Sequence, residues 1–311
     1  MILTVTNLVK KYKEKKALDN FNFEVKEGEI LGLLGPNGCG KTTAINCILS
    51  LLKFNSGEIT IFGEPMTQNA LHIKKRIGLV PQEVSIFYDF TVYENIDYFC
   101  GLYINNSAKR KALINEAMEF VDLTNYSKYR AKKLSGGLLR RLNIACGIAH
   151  KPELIFMDEP TVAVDAQSRN FILSGIKELA KQGSTIVYTT HYLEEVEELC
   201  DRVVIMDNGK TIAEGTPDEL KNMSKTREKI IVEFVDTPAD LEKMLKNIPH
   251  VLEVTKRSDD YLISFENSVN NLNMLISFIN EEKLSYTKLY SERPTLNDTF
   301  LELTGKELRD E

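Results

Sequence analysis

The segment Gly35–Thr43, GPNGCGKTT, restricts what this chain can fold into more than any other stretch of it. Gly35, Gly40, Lys41 and Thr42 fit the spacing G-x-x-x-x-G-K-[ST], with Pro36, Asn37, Gly38 and Cys39 between them and Thr43 after them. The flanks fit as well: Glu29–Leu34 reads as a strand entering the loop and Thr43–Leu52 as the helix leaving it. Glycines let the backbone curl until several N–H groups converge on one point, and the helix adds the positive end of its dipole there. Such a nest holds phosphate. Lys41 is then placed to reach terminal phosphates as a point charge, and the Thr42 hydroxyl to enter a magnesium shell.

Two more segments carry chemistry. Leu154–Glu159, LIFMDE, is an apolar strand that ends in acids. At the carboxyl end of a buried strand a carboxylate faces the crevice in which nucleotides bind. Asp158 is therefore expected to hold magnesium through water, and Glu159 to polarise an attacking water. Leu134–Gly137, LSGG, leads into an apolar, Arg-bearing helix at Leu138–Ala149. Ser135, Gly136 and Gly137 at that helix N-terminus make a second nest of unpaired N–H groups. One nucleotide cannot occupy both nests of one chain.

The 311 residues suit a large domain of roughly 220 residues followed by a small one. The first sixty alternate short β-like runs (Ile2–Val5, Phe21–Val25, Ile30–Leu34, Glu58–Phe62) with Gly and Asn turns, a pattern of a small antiparallel layer around one central strand. Helical periodicity runs from Val92 to about Ile148. Leu154–Met157 and Thr185–Tyr188 read as parallel strands buried on both faces, and Asp207, Asn208 and Gly209 as a hairpin turn. The polar segment Lys221–Glu228 marks a boundary, giving domains at 1–222, with a helical part at about 88–150, and at 223–311. Beyond it the order strand, helix, strand, strand, helix, strand predicts a ferredoxin-like α+β sandwich. Thr295 is the expected N-cap of a last helix, with Asp298 three residues on.

A net charge of -6 argues against a sequence-independent nucleic-acid binder, and the one dense basic run, Lys10–Lys16, reads as a solvated edge. The N-terminal residues read as a short strand and a polar turn, without the charged-then-apolar order of a signal peptide. No apolar stretch approaches the roughly 18 residues a membrane span needs, so another chain must cross any membrane this one serves. Five cysteines without a CxxC pair suit reduced thiols in the cytoplasm. Cys47, Cys100, Cys146 and Cys200 read as core filler, whereas Cys39, inside the phosphate nest, is expected to have a lowered pKa and to react readily.

Taken together, these segments resemble the Walker A, Walker B and LSGGQ signature motifs of the ATP-binding cassette family, in the family's order, over Leu3–Leu220. The resemblance implies an α/β P-loop NTPase cassette with an antiparallel β layer and a helical subdomain. It also implies ATP and Mg2+ as ligands, and a homodimer or heterodimer in which each signature closes on the nucleotide of the other subunit. Tyr12 lies where the family stacks an aromatic ring on adenine. Gln82 resembles the Q-loop residue that contacts magnesium and senses the membrane partner, Asp165 the D-loop aspartate, and His191 the switch histidine. The runs RRLNIACGIAHKPELIFMDEPT and PTLNDTFLELTGKELRD look like the ATPase subunits of drug-efflux-type exporters, which pair with separate transmembrane permease subunits on the inner face of the cell membrane.

The chain departs from the family at Leu138, usually Gln or another polar or flexible residue, and at Ala163 and Ala166, where Gly and Pro are common. If the backbone at 163 has positive φ, alanine costs on the order of 1 kcal/mol there. Two rivals follow: a soluble cassette ATPase of DNA repair, translation or cofactor assembly, and a nucleotide-binding regulator without turnover. The first is disfavoured because Thr43–Leu134 has no sustained heptads and the chain carries a single motif set. The second draws on Leu138 and Ala163 and predicts negligible ATPase activity.

Overall fold

Burial sorts the strands of this chain into separate sheets. A computed structural model describes residues 1–226, 228–235, 237–266 and 270–305, which form two compact units, 1–217 and from 218 onward. The Lys306–Asp310 part of the exporter-like run lies outside the described residues.

The first unit runs β1 (Leu3–Tyr12), β2 (Lys15–Val25), β3 (Ile30–Leu34), α1 (Lys41–Ile48), β4 (Ser56–Ile61), β5 (Glu64–Pro65), α2 (Leu71–Lys74) and β6 (Ile77–Val80). It continues with α3 (Val92–Gly101), α4 (Ser107–Phe120), α5 (Gly136–Ile148), β7 (Leu154–Asp158), α6 (Ala166–Lys181) and β8 (Thr185–Thr190). Then come α7 (Leu193–Leu199), β9 (Arg202–Asp207), β10 (Lys210–Gly215) and α8 (Pro217–Lys221), the last straddling the boundary between units.

Every residue of β3, β7 and β8 is buried. Strands covered on both faces need no polar alternation, so their sequences are continuous apolar runs; each fully buried Leu or Ile contributes about 1.5–3 kcal/mol relative to exposure. They lie in a six-stranded sheet of order β10-β9-β3-β8-β7-β6, parallel except for β10. The sequence expectation of β3 at the centre of the antiparallel layer is corrected here. That layer is a separate sheet, β2-β1-β4-β5, and β3, apolar on both faces, has no place in it. The polar turn expected after a short first strand is also corrected: β1 and β2 extend through the basic run to a turn at Lys13–Glu14, with Lys13 at φ 51°.

Register decides what the large sheet can do. Leu34 pairs with Thr190, Thr189 with Asp158, and Val80 with Met157. Four parallel strands thus end together, and the loops beginning at Gly35, Pro81, Glu159 and His191 leave from one edge, the crevice position of an open α/β sheet. Between β6 and β7 the helices α3, α4 and α5 pack on one another. Thr91 closes a capping box with Glu94 at the start of α3. Buried Asn95 braces the preceding loop by donating to the carbonyls of Phe87 and Thr91 and accepting from the Phe87 amide.

The second unit runs β11 (Glu228–Phe234), α9 (Leu241–Lys246), β12 (Val251–Lys256), β13 (Tyr261–Phe265), α10 (Asn271–Glu281), β14 (Tyr286–Glu292) and α11 (Leu296–Thr304). Its antiparallel sheet has the order β12-β13-β11-β14, that of the ferredoxin-like sandwich read from the element pattern. Ile230, Val232 and Ile263 on the sheet meet Leu241, Leu275 and Ile279 on α9 and α10 in one apolar core. Thr295 and Asp298 form the expected capping box of α11, and Asp298 also pairs with Lys229.

Candidate active site

The phosphate loop between β3 and α1 is built so tightly at Gly35 and Gly40 that a side chain there has no room. A Cβ on Gly35 would lie 2.3 Å from the Met206 carbonyl oxygen, and one on Gly40, at φ 116°, 2.7 Å from that of Ala17. Lys41 opens α1 and folds back over the loop. Its ammonium donates to the Gly35 carbonyl at 2.7 Å and the Pro36 carbonyl at 3.3 Å, and pairs with Glu159 Oε1 at 3.0 Å.

The two acids after β7 are held differently. One hydroxyl, that of Thr189 on β8, donates to Asp158 Oδ1 at 2.6 Å and accepts from the Glu159 amide at 3.0 Å. Burial pushes the Asp158 carboxyl up from its usual range, against hydrogen bonds from Thr189 and Thr42. Glu159 stands at φ 47°, a left-handed turn that swings its side chain away from the strand line. Its Oε2 accepts from Gln82 Nε2 at 3.2 Å and lies 3.5 Å from His191 Nδ1. Burial raises the Glu159 pKa, but His191 and Lys41 outweigh it and hold the carboxyl below its ordinary range. Glu159 is therefore an anion in a water-poor position.

A cavity of about 470 Å³ opens above these groups, within the range of small-ligand sites. Asn37–Thr43 line its floor, Gln82 and Glu159 one end, and Tyr12, Lys15, Lys16 and Ala17 of the β1–β2 hairpin a wall. Tyr12 is 49% exposed, and Lys10 Nζ lies over one face of its ring, 4.7 Å from the centre. Lys15 and Lys16, read in the sequence as a solvated edge, bring positive charge to this wall. Asn208 of the β9–β10 turn completes the lining; Gly209 beside it sits so close to the Ala17 carbonyl that a Cβ would meet it at 2.4 Å. Asn208 and Thr189 went unread in the sequence because turn formation and strand burial already accounted for them.

For a magnesium ion the donors are of the right kind. The Thr42 hydroxyl, the Asp158 carboxylate and the Gln82 amide oxygen are hard ligands, and Mg2+ commonly takes one or two carboxylates with phosphate oxygens and water. Thr42 and Asp158 are within hydrogen-bond reach of one another, so both can reach one ion.

Cys39 corrects an expectation. Its side chain is buried beneath the loop, where a Cβ on Gly35 would meet the sulfur at 2.7 Å. Burial raises its pKa and outweighs the pull of Lys41, so the reactive thiolate expected there is absent. The other four cysteines are buried as well.

Ser135–Gly137 and Asp165 do not line this cavity. Ser135 caps α5, its hydroxyl accepting from the Leu138 amide at 3.4 Å, and Ser135 and Gly136 are exposed. The cap uses the backbone of Leu138, so the apolar side chain there leaves the nest intact. Asp165 caps α6 through Ser168, and Gly137 packs against both: a Cβ on it would lie 2.4 Å from Ser168 Oγ and 3.3 Å from Asp165 Oδ2. Ala163 stands at φ 59°, the strained conformation that its place in the loop raised as a question.

The chain has relatives among known ATP-binding proteins. Residues 18–162 match the family described as ABC transporter, and residues 215–304 match the C-terminal domain described as ATP-binding protein DrrA1-3-like. Over 99% of its length the chain is 37% identical to the linearmycin resistance ATP-binding protein LnrL of Bacillus subtilis, all of which is covered. It is 34% identical to the Nod factor export ATP-binding protein I of Rhizobium meliloti over 99% of this chain and 89% of that one. Among solved structures, the dimeric post-hydrolysis state of the ATP-binding cassette MJ0796 with ADP and Pi superposes with a TM-score of 0.64 at 27% identity, covering 69% of this chain and 98% of that one.

Proposed function

Because this chain belongs to the ABC transporter family, as an ATP-binding, ATP-hydrolysing subunit of exporter type, we propose that Glu159 is the group that activates water for hydrolysis. The observation that carries this is the convergence of Lys41, Gln82 and His191 on one buried carboxylate beside the phosphate loop. ATP lies in the cavity with its phosphates over Asn37–Thr43 and its adenine against Tyr12. Lys41 exchanges its contact with Glu159 for the terminal phosphates, which frees the carboxylate to take a proton from water. His191 reaches the γ-phosphate from the adjacent strand end. Thr42, Asp158 and Gln82 would hold Mg2+, which would supply positive charge to the phosphate oxygens.

The nest Ser135–Gly137, exposed at Ser135 and Gly136, serves a second subunit. Two copies, or this chain and a related one, face each other so that each nest and Asp165 complete the site of the partner. Closure is transmitted to separate transmembrane subunits through the surface after Gln82, where the exposed rings of Phe87, Phe90 and Tyr98 cluster. None of the helices described here is long and apolar enough to cross a membrane. The cargo is a substance exported from the cell, as the name of the Nod factor relatives has it for theirs, and the small second unit is accessory or regulatory.

Glu159→Gln keeps the shape and loses the base. Steady-state ATP hydrolysis of the full-length chain is expected to fall by about 100-fold or more, with nucleotide binding retained. Hydrolysis at the wild-type rate in that variant sinks this assignment, and negligible hydrolysis by the wild type with its membrane partner favours the regulator instead.

A further inference from the structure

Helix α5 carries two polar side chains that the hydrolytic reading leaves unused. Arg140, 6% exposed, donates from Nη1 to the Gln82 carbonyl at 2.8 Å and the Pro81 carbonyl at 3.1 Å. Asn143, three residues on and so on the same face of the helix, donates to the Pro81 carbonyl at 3.2 Å and accepts from the Ser85 amide at 3.1 Å. The segment between β6 and α3 is irregular, and backbone groups removed from water need partners. Here α5 supplies them. Burial disfavours the charge on the guanidinium, while Asp158 and Glu159 favour it.

A buried arginine is a costly way to satisfy two carbonyls, since a neutral amide could do it. One nitrogen, Nη1, bridges both carbonyls and so fixes the position of the backbone it holds. What it holds is the backbone of Gln82, whose side chain donates to Glu159 Oε2. About one turn earlier, at the N-terminus of the same helix, lies the nest Ser135–Gly137, exposed at Ser135 and Gly136.

We infer that Arg140 is a positioning residue for hydrolysis: it fixes the Gln82 backbone to α5 so that the Gln82 amide meets Glu159, and so ties the nest that engages a neighbour's nucleotide to the acid that acts on the chain's own. Displacement of α5 moves Arg140, Arg140 moves the Gln82 backbone, and the hydrogen bond to Glu159 lengthens or closes. Occupancy of one site of a dimer thereby biases the other through a chain of named contacts. The inference rests on Glu159 being the hydrolytic base.

The test is a cycle on the full-length chain, with steady-state ATP hydrolysis for wild type, R140M, R140K, Q82A, R140M/Q82A and E159Q. R140M is expected to lower kcat about tenfold with KM for ATP within about twofold, because only the alignment of the acid is lost. R140K, which keeps a donor and the charge, recovers most of this. In the Q82A background R140M is expected to cost less than about twofold, since the residue through which it acts is gone. An equal factor in both backgrounds overturns the proposal, as does a rise in KM at unchanged kcat. Wild-type kcat in E159Q refutes the hydrolytic reading instead, which keeps the two failures apart. As a second readout, amide hydrogen exchange in R140M is expected to speed up at 82–87 and to stay unchanged in β7; acceleration across the whole cassette would make Arg140 a fold residue and overturn its positioning role.

Discussion

Thr189 shows how much chemistry a single atom can organise. Its hydroxyl donates to one acid and accepts from the backbone of the next, so Asp158 and Glu159 point in different directions from adjacent positions. Thr189→Val keeps the shape and removes both bonds. The hydrogen bond lowers the Asp158 pKa against burial, so its loss moves that pKa further up. A step that needs ionised Asp158 then fails at higher pH than in the wild type: the acid limb of the kcat profile is expected to shift upward, measured as ATP hydrolysis between pH 5 and 8. Ala163, at φ 59°, holds a conformation that glycine adopts freely. Ala163→Gly is expected to stabilise the chain by about 0.5–1 kcal/mol, read from the urea midpoint, because relief of the left-handed strain exceeds the added entropy of the unfolded chain. Lys41, Thr42, Asp158 and Glu159 could be read in the sequence because their chemistry depends on local spacing beside a strand end, whereas His191 was read only through the family resemblance. Lys15, Lys16 and Asn208 could not, because they reach the cavity through pairing and turns that join residues far apart in the chain.

At the level of elements, β3, β7 and β8 were legible because burial on both faces leaves nothing but apolar residues. The hairpin β1–β2 was misread for the opposite reason. Its outer end, Lys10–Lys16, faces water and carries no apolar signal, yet the ladder continues through it to Tyr12 and Lys15. Which sheet β3 joins was also hidden, since pairing partners 156 residues away decide it. The loop before α3 depends on Asn95 in a way no motif announces. Asn95→Ala leaves Phe87 and Thr91 without their side-chain partner at a buried position. A loss of about 2 kcal/mol is expected in chemical denaturation, with faster amide exchange at Phe87.

At the scale of the molecule, the core of the second unit is complete within its own residues. A fragment spanning 218–311 is expected to fold alone, with helix and sheet signals in circular dichroism. Burial raises the pKa of Asp298 and Glu302, but Lys229 and Thr295 for the first, and Ser224 with the amides of Lys225 and Thr226 for the second, bring both below their ordinary values. Carboxyls depressed by folding stabilise above their unfolded pKa of about 4, and that contribution is lost as pH falls through the folded values. The fragment is therefore expected to keep its signal at pH 5 and to lose it progressively below about pH 4; a midpoint above pH 5 would contradict the pairing.

In the cassette, the close fit of Gly137 against Ser168 and Asp165 has a mechanical meaning. With no slack between the starts of α5 and α6, the surface offered to a neighbouring subunit behaves as one stiff die and not as two independent fingers. On the proposed dimer, a neighbour that fits the nest would match the aspartate in the same movement, and one that misses either would be rejected by both.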